Sequence, residues 1–352
     1  MNIRKYIKRE ASHFYNIFEE CKSKNNKVDV ILYGAGEKAR MFLSDYDNID
    51  VKFCCDDDID KIGKFLNYIP IISIEELKNH HNNLPIIITS KWSDDISVRL
   101  KSIGLKYIYH RFSLEYLMHL DELQEVYNLL EDRVSKVIFL GLIKYVFNQN
   151  PSIFKKITFD ENQYFLEDIF QFGDNETIID GGAFTGDTLE SYIKQSKGVF
   201  KKYYCFEPDN NNFNKLKEYI ENLEIREKVE AYQLGLFDSD KTVRFSNLNS
   251  SASCINMFSD SFIKVTNIDK ICNNEDITMI KMDIEGSEYE ALIGSRNTIL
   301  RNNPKLAICV YHLASDLWKI PILIKAFNKS YKLYLRHHNK KCWYETVLYA
   351  TL

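Results

Sequence analysis

Apolar residues in the first two dozen positions fall at helical spacing (Ile3, Tyr6, Ile7, Phe14, Ile17, Phe18) and give way to the polar run 22–27. An N-terminal helix within 1–27, closed by a turn, is therefore expected. From Val28 the pattern changes to short β-rich runs (29–33, 51–55, 84–89) separated by helical stretches. This alternation predicts parallel βαβ units, here a small Rossmann-like α/β domain over 28–112.

Between Ser113 and about Asn150, Leu114, Leu117, Met118, Leu120, Leu123, Val126, Tyr127 and Leu130 recur every three or four residues. Residues 113–172 thus read as a helical connector whose apolar stripe packs on a domain or a second subunit, which leaves a homodimer open. Strand-like runs then resume at 177–180, 203–207, 231–234, 277–283 and 305–311. Two more, 331–336 and 343–349, flank the polar turn Asn339-Lys340-Lys341 and close a second α/β domain over 173–352. No fixed-period repeat or low-complexity tract interrupts the chain.

Composition narrows the function classes. The 352 residues are 45% hydrophobic and 27% charged, enough to bury two cores. Net charge is −4, near balance in both halves, so neither half is a basic block for a phosphate backbone and no nucleic-acid partner is expected. The eight cysteines form no C-x-x-C pair and several sit inside apolar runs, which reads as reduced core. The N-terminus lacks a signal-peptide pattern and no apolar run approaches a membrane span, so a cytoplasmic protein is expected.

Candidate chemistry concentrates in the second half. The strand 178–180 ends in Asp180 and runs into Gly181-Gly182-Ala183-Phe184-Thr185-Gly186-Asp187-Thr188 before a helix. Glycines there admit a ligand close to the backbone at the carboxyl end of a sheet. Twenty-one residues past Gly186 the next strand ends in Glu207, followed by Pro208, and an acid at that tip can accept from both ribose hydroxyls. Asp180 directly before the glycines would repel a pyrophosphate and suits a cationic ligand. S-adenosylmethionine has the required sulfonium, ammonium and ribose and no phosphate. A later strand ends in Lys281-Met282-Asp283-Ile284-Glu285-Gly286-Ser287-Glu288 and the next in Tyr311-His312. In a doubly wound sheet these tips are neighbours, so Asp180, Glu207, Asp283 and His312 should share one cleft.

From about Gln163-Tyr164-Phe165 to the C-terminus the chain resembles the FkbM-type S-adenosylmethionine-dependent methyltransferases. The match is carried by Asp180 to Thr188, Phe206-Glu207-Pro208, Lys281 to Glu288, Tyr311-His312 and Tyr334-Leu335-Arg336-His337-His338. The resemblance implies a class I methyltransferase fold, a seven-stranded doubly wound sheet with an antiparallel last strand. It also implies methyl transfer to oxygen, commonly a hydroxyl of a sugar, glycan precursor or natural product, and the leading expectation is an O-methyltransferase acting on a sugar or nucleotide-linked sugar. Donor contacts would fall on Asp180, Gly181, Gly182, Gly186, Thr188, Glu207 and Pro208.

An alcohol is a weak nucleophile at neutral pH, so the site needs a general base or a metal. His312 is the first candidate for the base, with Asp283 as substitute or orienter. The competing arrangement places a divalent cation on Asp283, Glu285 and a histidine among His312, His337 and His338. Arg336, His337 and His338 end a strand and are candidate acceptor contacts, and the loop 249–254 is a candidate lid.

In the first half, Tyr33-Gly34-Ala35-Gly36-Glu37 follows a strand, and Asp56 arrives 22 residues after Gly34, a nucleotide-ribose spacing. Gly34, Gly36 and Asp56 are therefore candidates for a second site for a nucleotide or nucleotide sugar. Two alternatives compete with the methyltransferase: an NAD-dependent oxidoreductase using that first site, and a ligand-binding protein without turnover.

Overall fold

The structure, a computed structural model, describes residues 1–46, 49–90, 92–158, 163–246, 254–255 and 261–352. The candidate lid 249–254 lies outside them, save the backbone of Cys254. The chain divides into two compact units. One comprises 1–127, 137–157 and 340–343, and the other 128–136, 158–339 and 344–352, so the division falls inside the helix Arg133–Asn148. The helices expected as a connector are thus shared out, most of them to the first unit.

The first unit begins with two helices, Ile3–Glu10 and Ser12–Ser23, where one was expected. They break at Ala11 (φ −142°, ψ 49°), which carries neither glycine nor proline as a signal. Its strands are β1 (Val28–Tyr33), β2 (Ile49–Cys55), β3 (Phe65–Leu66), β4 (Ile69–Ile72), β5 (Ile86–Ile88) and β6 (Ile108–His110). The sheet order is β3-β4-β2-β1-β5-β6, parallel except for the β3–β4 hairpin. Ile31, Tyr33, Cys55, Ile72, Ile86 and Ile88 pack with Leu77 and Leu100 into its core. The chain runs outward from β1 to one side and returns on the other, so a crevice opens at the carboxyl ends of β1 and β5.

The second unit holds β7 (Thr177–Gly181), β8 (Lys202–Phe206), β9 (Val229–Tyr232), β10 (Gly235–Leu236), β11 (Lys241–Ser246), β12 (Cys254–Ile255), β13 (Ser261–Thr266), β14 (Met279–Met282), β15 (Lys305–Cys309), β16 (Lys332–His337) and β17 (Thr346–Thr351). Seven of these form the main sheet, ordered β16-β17-β15-β14-β7-β8-β9. Strands β7, β8, β9, β14 and β15 are parallel, and the last strand, β17, runs antiparallel to β15 and to β16. This is the doubly wound sheet with a reversed last strand that the resemblance implied. Every residue of β7 and β14 is buried, as strands covered on both faces require. Unforeseen is a small four-stranded sheet, β10-β13-β11-β12, between β9 and β14. The seven described cysteines are free and five of them are buried. Among the described residues, no helix is long and apolar enough to cross a membrane.

Candidate functional site: a cavity at the carboxyl edge of the second sheet

A cavity of about 470 Å³ opens where β7, β8 and β14 end. Gly182, Thr188, Glu207, Pro208, Asp283 and Glu285 line it, as the sequence placed them. Gly182 has φ +74°, and a Cβ there would stand 1.9 Å from the Asp283 carbonyl oxygen, so only glycine lets the β7 turn pass the end of β14. Gly181 and Gly186 stand behind the lining, as backbone of β7 and as the residue before the helix Asp187–Ser196.

Glu207 is fixed by the backbone around it. The amides of Phe184 and Asp209 donate to its two oxygens at 3.0 and 2.8 Å. A carboxylate has about four acceptor sites, so the grip leaves lone pairs toward the cavity. Burial pushes its pKa up to about 7, against the lowering effect of those amides.

Asp180 departs from expectation. It is fully buried, its Oδ1 lies 2.8 Å from Lys281 Nζ, and Tyr203 OH donates to Oδ2 at 3.0 Å. It does not line the cavity, and its charge is met by lysine rather than by a ligand. Lys281 Nζ also donates to the carbonyls of Gly181 and Gly182, so the pair clamps the glycine turn. Removing one partner strands a buried charge, a loss of about 3–5 kcal/mol. Lys281→Met should therefore lower the thermal midpoint by many degrees, and a midpoint within a degree or two of the parent would contradict the clamp.

The far end of the cavity is acidic. Asp283 accepts from Tyr311 OH at 3.0 Å and Tyr164 OH at 2.9 Å, and Gln163 Nε2 donates to Tyr164 OH and to Glu345 Oε2. His312 lies behind the lining and is nine-tenths buried. Its Nδ1 is 2.9 Å from Glu288 Oε1, while Nε2 is 3.4 Å from Asp283 Oδ1 and 3.6 Å from Glu285 Oε2. These are ion-pair separations whose angles make no hydrogen bond. Burial lowers the imidazole pKa, but the carboxylates, Glu288 foremost, outweigh it and push it up to about 10. Burial and the neighbouring acids push Glu285 up to about 7 although His312 pulls it down. Asp283 is held below the carboxylate range because His312, Lys281 and the two tyrosines outweigh the effect of burial.

Four non-glycine residues of the lining adopt left-handed backbone: Tyr164 (φ 74°), Phe184 (47°), Glu285 (57°) and Glu345 (66°). Such conformations cost on the order of 1–3 kcal/mol each and collect where function over-determines the chain.

The acceptor candidates lie elsewhere. Arg336 is buried against Asp132 at 2.7 Å, His337 is hydrogen-bonded between Thr346 and the Asn339 carbonyl, and His338 Nε2 sits 2.8 Å from Tyr349 OH. None lines the cavity, so their work is packing the β16–β17 end of the sheet. Sequence reasoning missed Gln163, Tyr164, Lys281 and Glu345. Of these only Lys281, a charge inside a buried strand, left a signal.

In the first unit, Gly34, Gly36 and Asp56 do meet, in a crevice of about 560 Å³ with Lys61, Trp92 and Arg99. Asp56 is already engaged: the amides of Ala35 and Asp58 and the Lys61 ammonium donate to it. Arg99 is paired with Asp57 and Tyr33.

The seven-stranded order, the reversed last strand and the cavity beside the glycine turn define a class I methyltransferase fold. Residues 180–341 match the methyltransferase FkbM domain, and this part of the chain is such a domain. Its chemistry is S-adenosylmethionine-dependent methyl transfer. The FkbM methyltransferase of Methylobacillus flagellatus is 23% identical and aligns over 99% of this chain and 93% of its own with a TM-score of 0.61, a likeness of fold. A putative methyltransferase from Streptococcus mutans, solved with S-adenosylhomocysteine, is 16% identical over 53% of this chain and 94% of its own, at a TM-score of only 0.32. No curated protein matches the chain.

Proposed function

We propose that the protein methylates a hydroxyl of a sugar, nucleotide-linked sugar or glycan precursor, with Glu285 as the general base. The supporting observation is the acidic far end of the cavity, where Glu285 faces the open volume with no hydrogen bond of its own among the described residues. Asp283 is a weaker base, gripped by two tyrosine hydroxyls. Three carboxylates stand 2.9 to 3.6 Å from the His312 ring nitrogens and favour its charged form, which disfavours it as a proton acceptor, so the base role expected of it passes to Glu285.

Glu207 would hold the donor's ribose, and Gly182 and Asp283 would flank its methionine end. The acceptor oxygen attacks the methyl carbon in line with the C–S bond. As the O–C bond forms, the sulfur keeps the electron pair of the broken bond and Glu285 takes the hydroxyl proton. Holding the two reactants in line supplies much of the acceleration. His312 stays charged throughout and offsets the surrounding carboxylates.

The described residues suit a divalent cation poorly. Asp283, Glu288 and His312 each bring an atom within 4.8 Å of the others. However, Nδ1 faces Glu288 while Nε2 faces Asp283 and Glu285, so no single nitrogen serves both sides. Glu288 also spends both oxygens on the amides of Ile284 and Gly286.

For the first unit, the reading favoured is a nucleotide-sugar crevice, supported by its place at the switch point of β1 and β5 and by Lys61 and Arg99 on its wall. An oxidoreductase is less well supported, because Asp56 already accepts from the Ala35 and Asp58 amides and from the Lys61 ammonium, which leaves it little acceptor capacity for a ribose.

Incubation with methyl-labelled donor and a panel of free and nucleotide-linked sugars should place label on sugar oxygen. Label on nitrogen or carbon, with every hydroxyl acceptor silent, would overturn the reading.

A further inference from the structure

The cavity lining runs along the carboxyl edge of the main sheet from Glu207 to Glu345. Glu207 follows β8 and Glu345 precedes β17, and β8 and β17 are four inter-strand steps apart in the main sheet. At ~4.8 Å per step this is about 19 Å along the carboxyl edge. A donor with its ribose on Glu207 reaches the region of Asp283, midway along that edge, so whatever touches Glu345 is the acceptor.

Glu345 carries a distinct chemical demand. It lies outside the 180–341 domain match, as do Gln163 and Tyr164, and these three are joined by hydrogen bonds. Gln163 Nε2 holds Glu345 Oε2 at 2.6 Å and so aims the carboxylate, whose backbone sits in the left-handed region. Among the described residues, no cationic side chain comes within ion-pair distance of Glu345. The lining has five carboxylates and a single ammonium, Lys281, which is ion-paired with Asp180 and donates to the carbonyls of Gly181 and Gly182. Burial raises the Glu345 pKa, although the Gln163 hydrogen bond and the His312 and Lys281 charges beyond ion-pair distance pull it down. A ligand cation in direct contact would offset that cost. A phosphate or carboxylate on the acceptor would meet net repulsion beside Glu345, since the five lining carboxylates outnumber Lys281 and the His312 imidazolium behind them.

Resting on the hydroxyl-methylation reading above, we propose that the acceptor carries a protonated amine that docks on Glu345, which makes it an amino sugar or comparable amino alcohol. The amine is the handle and a neighbouring hydroxyl is methylated, since an ammonium has no lone pair with which to attack carbon.

The test uses the full chain loaded with S-adenosylhomocysteine, titrated calorimetrically with amino sugars differing in the position of the amine, each beside its N-acetylated and hydroxyl counterparts. At least one amine should bind roughly tenfold or more tighter than its two counterparts. Glu345→Gln should erase that preference, and Glu345→Asp should restore part of it. In turnover with the preferred compound, Glu345→Gln should raise KM far more than it lowers kcat. Equal or tighter binding of the neutral counterparts, or a preference that survives Glu345→Gln, would overturn the amine handle and leave hydroxyl methylation standing. Label recovered on nitrogen would instead overturn hydroxyl methylation.

Discussion

Glu207→Leu is expected to cost the protein its methyl donor. Two ribose hydroxyls donating to a carboxylate are each worth about 1.5–3 kcal/mol, so S-adenosylhomocysteine should bind on the order of a hundredfold more weakly or worse. Glu207→Gln keeps the shape and part of the acceptor capacity and should fall between. The pH dependence follows from burial, which pushes Glu207 up to about 7 in the free protein. The donor prefers the ionised carboxylate, so its affinity should rise with pH through about 7 and then level, and the glutamine variant should flatten that rise. Stability of the free protein runs the other way. Between the ordinary glutamate range and about 7 the folded chain holds a proton that the unfolded chain has released, so Glu207 contributes a loss of stability as pH rises through that window. Calorimetric titrations from pH 5.5 to 8.5 measure the first effect, and a flat profile in the parent would contradict it.

Glu285→Gln should remove the base and leave the fold. General-base assistance is worth about 10²–10⁴ in rate, so kcat should fall by that order. In the parent, kcat should climb with pH through about 7, as Glu285 loses its proton, and then level. His312→Gln provides the sharper control. The imidazolium lowers the Glu285 pKa, so without it the rising limb should move to higher pH while kcat at alkaline pH partly recovers. If His312 were itself the base, that recovery would be absent at every pH.

The legible part of this fold is the part governed by short-range pattern. Strands β7, β8, β14 and β15 announce themselves as apolar runs because parallel strands are buried on both faces. Their tips are adjacent by topology alone, which is why the sequence puts Asp180, Glu207, Asp283 and His312 in one cleft; Glu207 and Asp283 line the cavity, while Asp180 and His312 lie behind it. What stayed hidden depends on partner choice across the fold. Asp180 reads as a ligand-facing acid in one dimension, and only the β7–β14 register, which sets Asp180 beside Lys281, shows the charge to be spent internally. Arg336 and His337 misled in the same way, since a polar residue at a strand end looks identical whether it meets a ligand or, as here, Asp132 and Thr346. Tyr164 and Glu345 lie 181 positions apart in sequence and meet through Gln163, a juxtaposition no local spacing encodes.

Crystals of the protein grown with S-adenosylhomocysteine test the central claim most directly. The ribose hydroxyls are expected on Glu207, the amino-acid end beside Gly182 and Asp283, and the Asp180–Lys281 pair intact behind them. By-product bound elsewhere, with the cavity at the ends of β7, β8 and β14 free of it, would contradict the assignment.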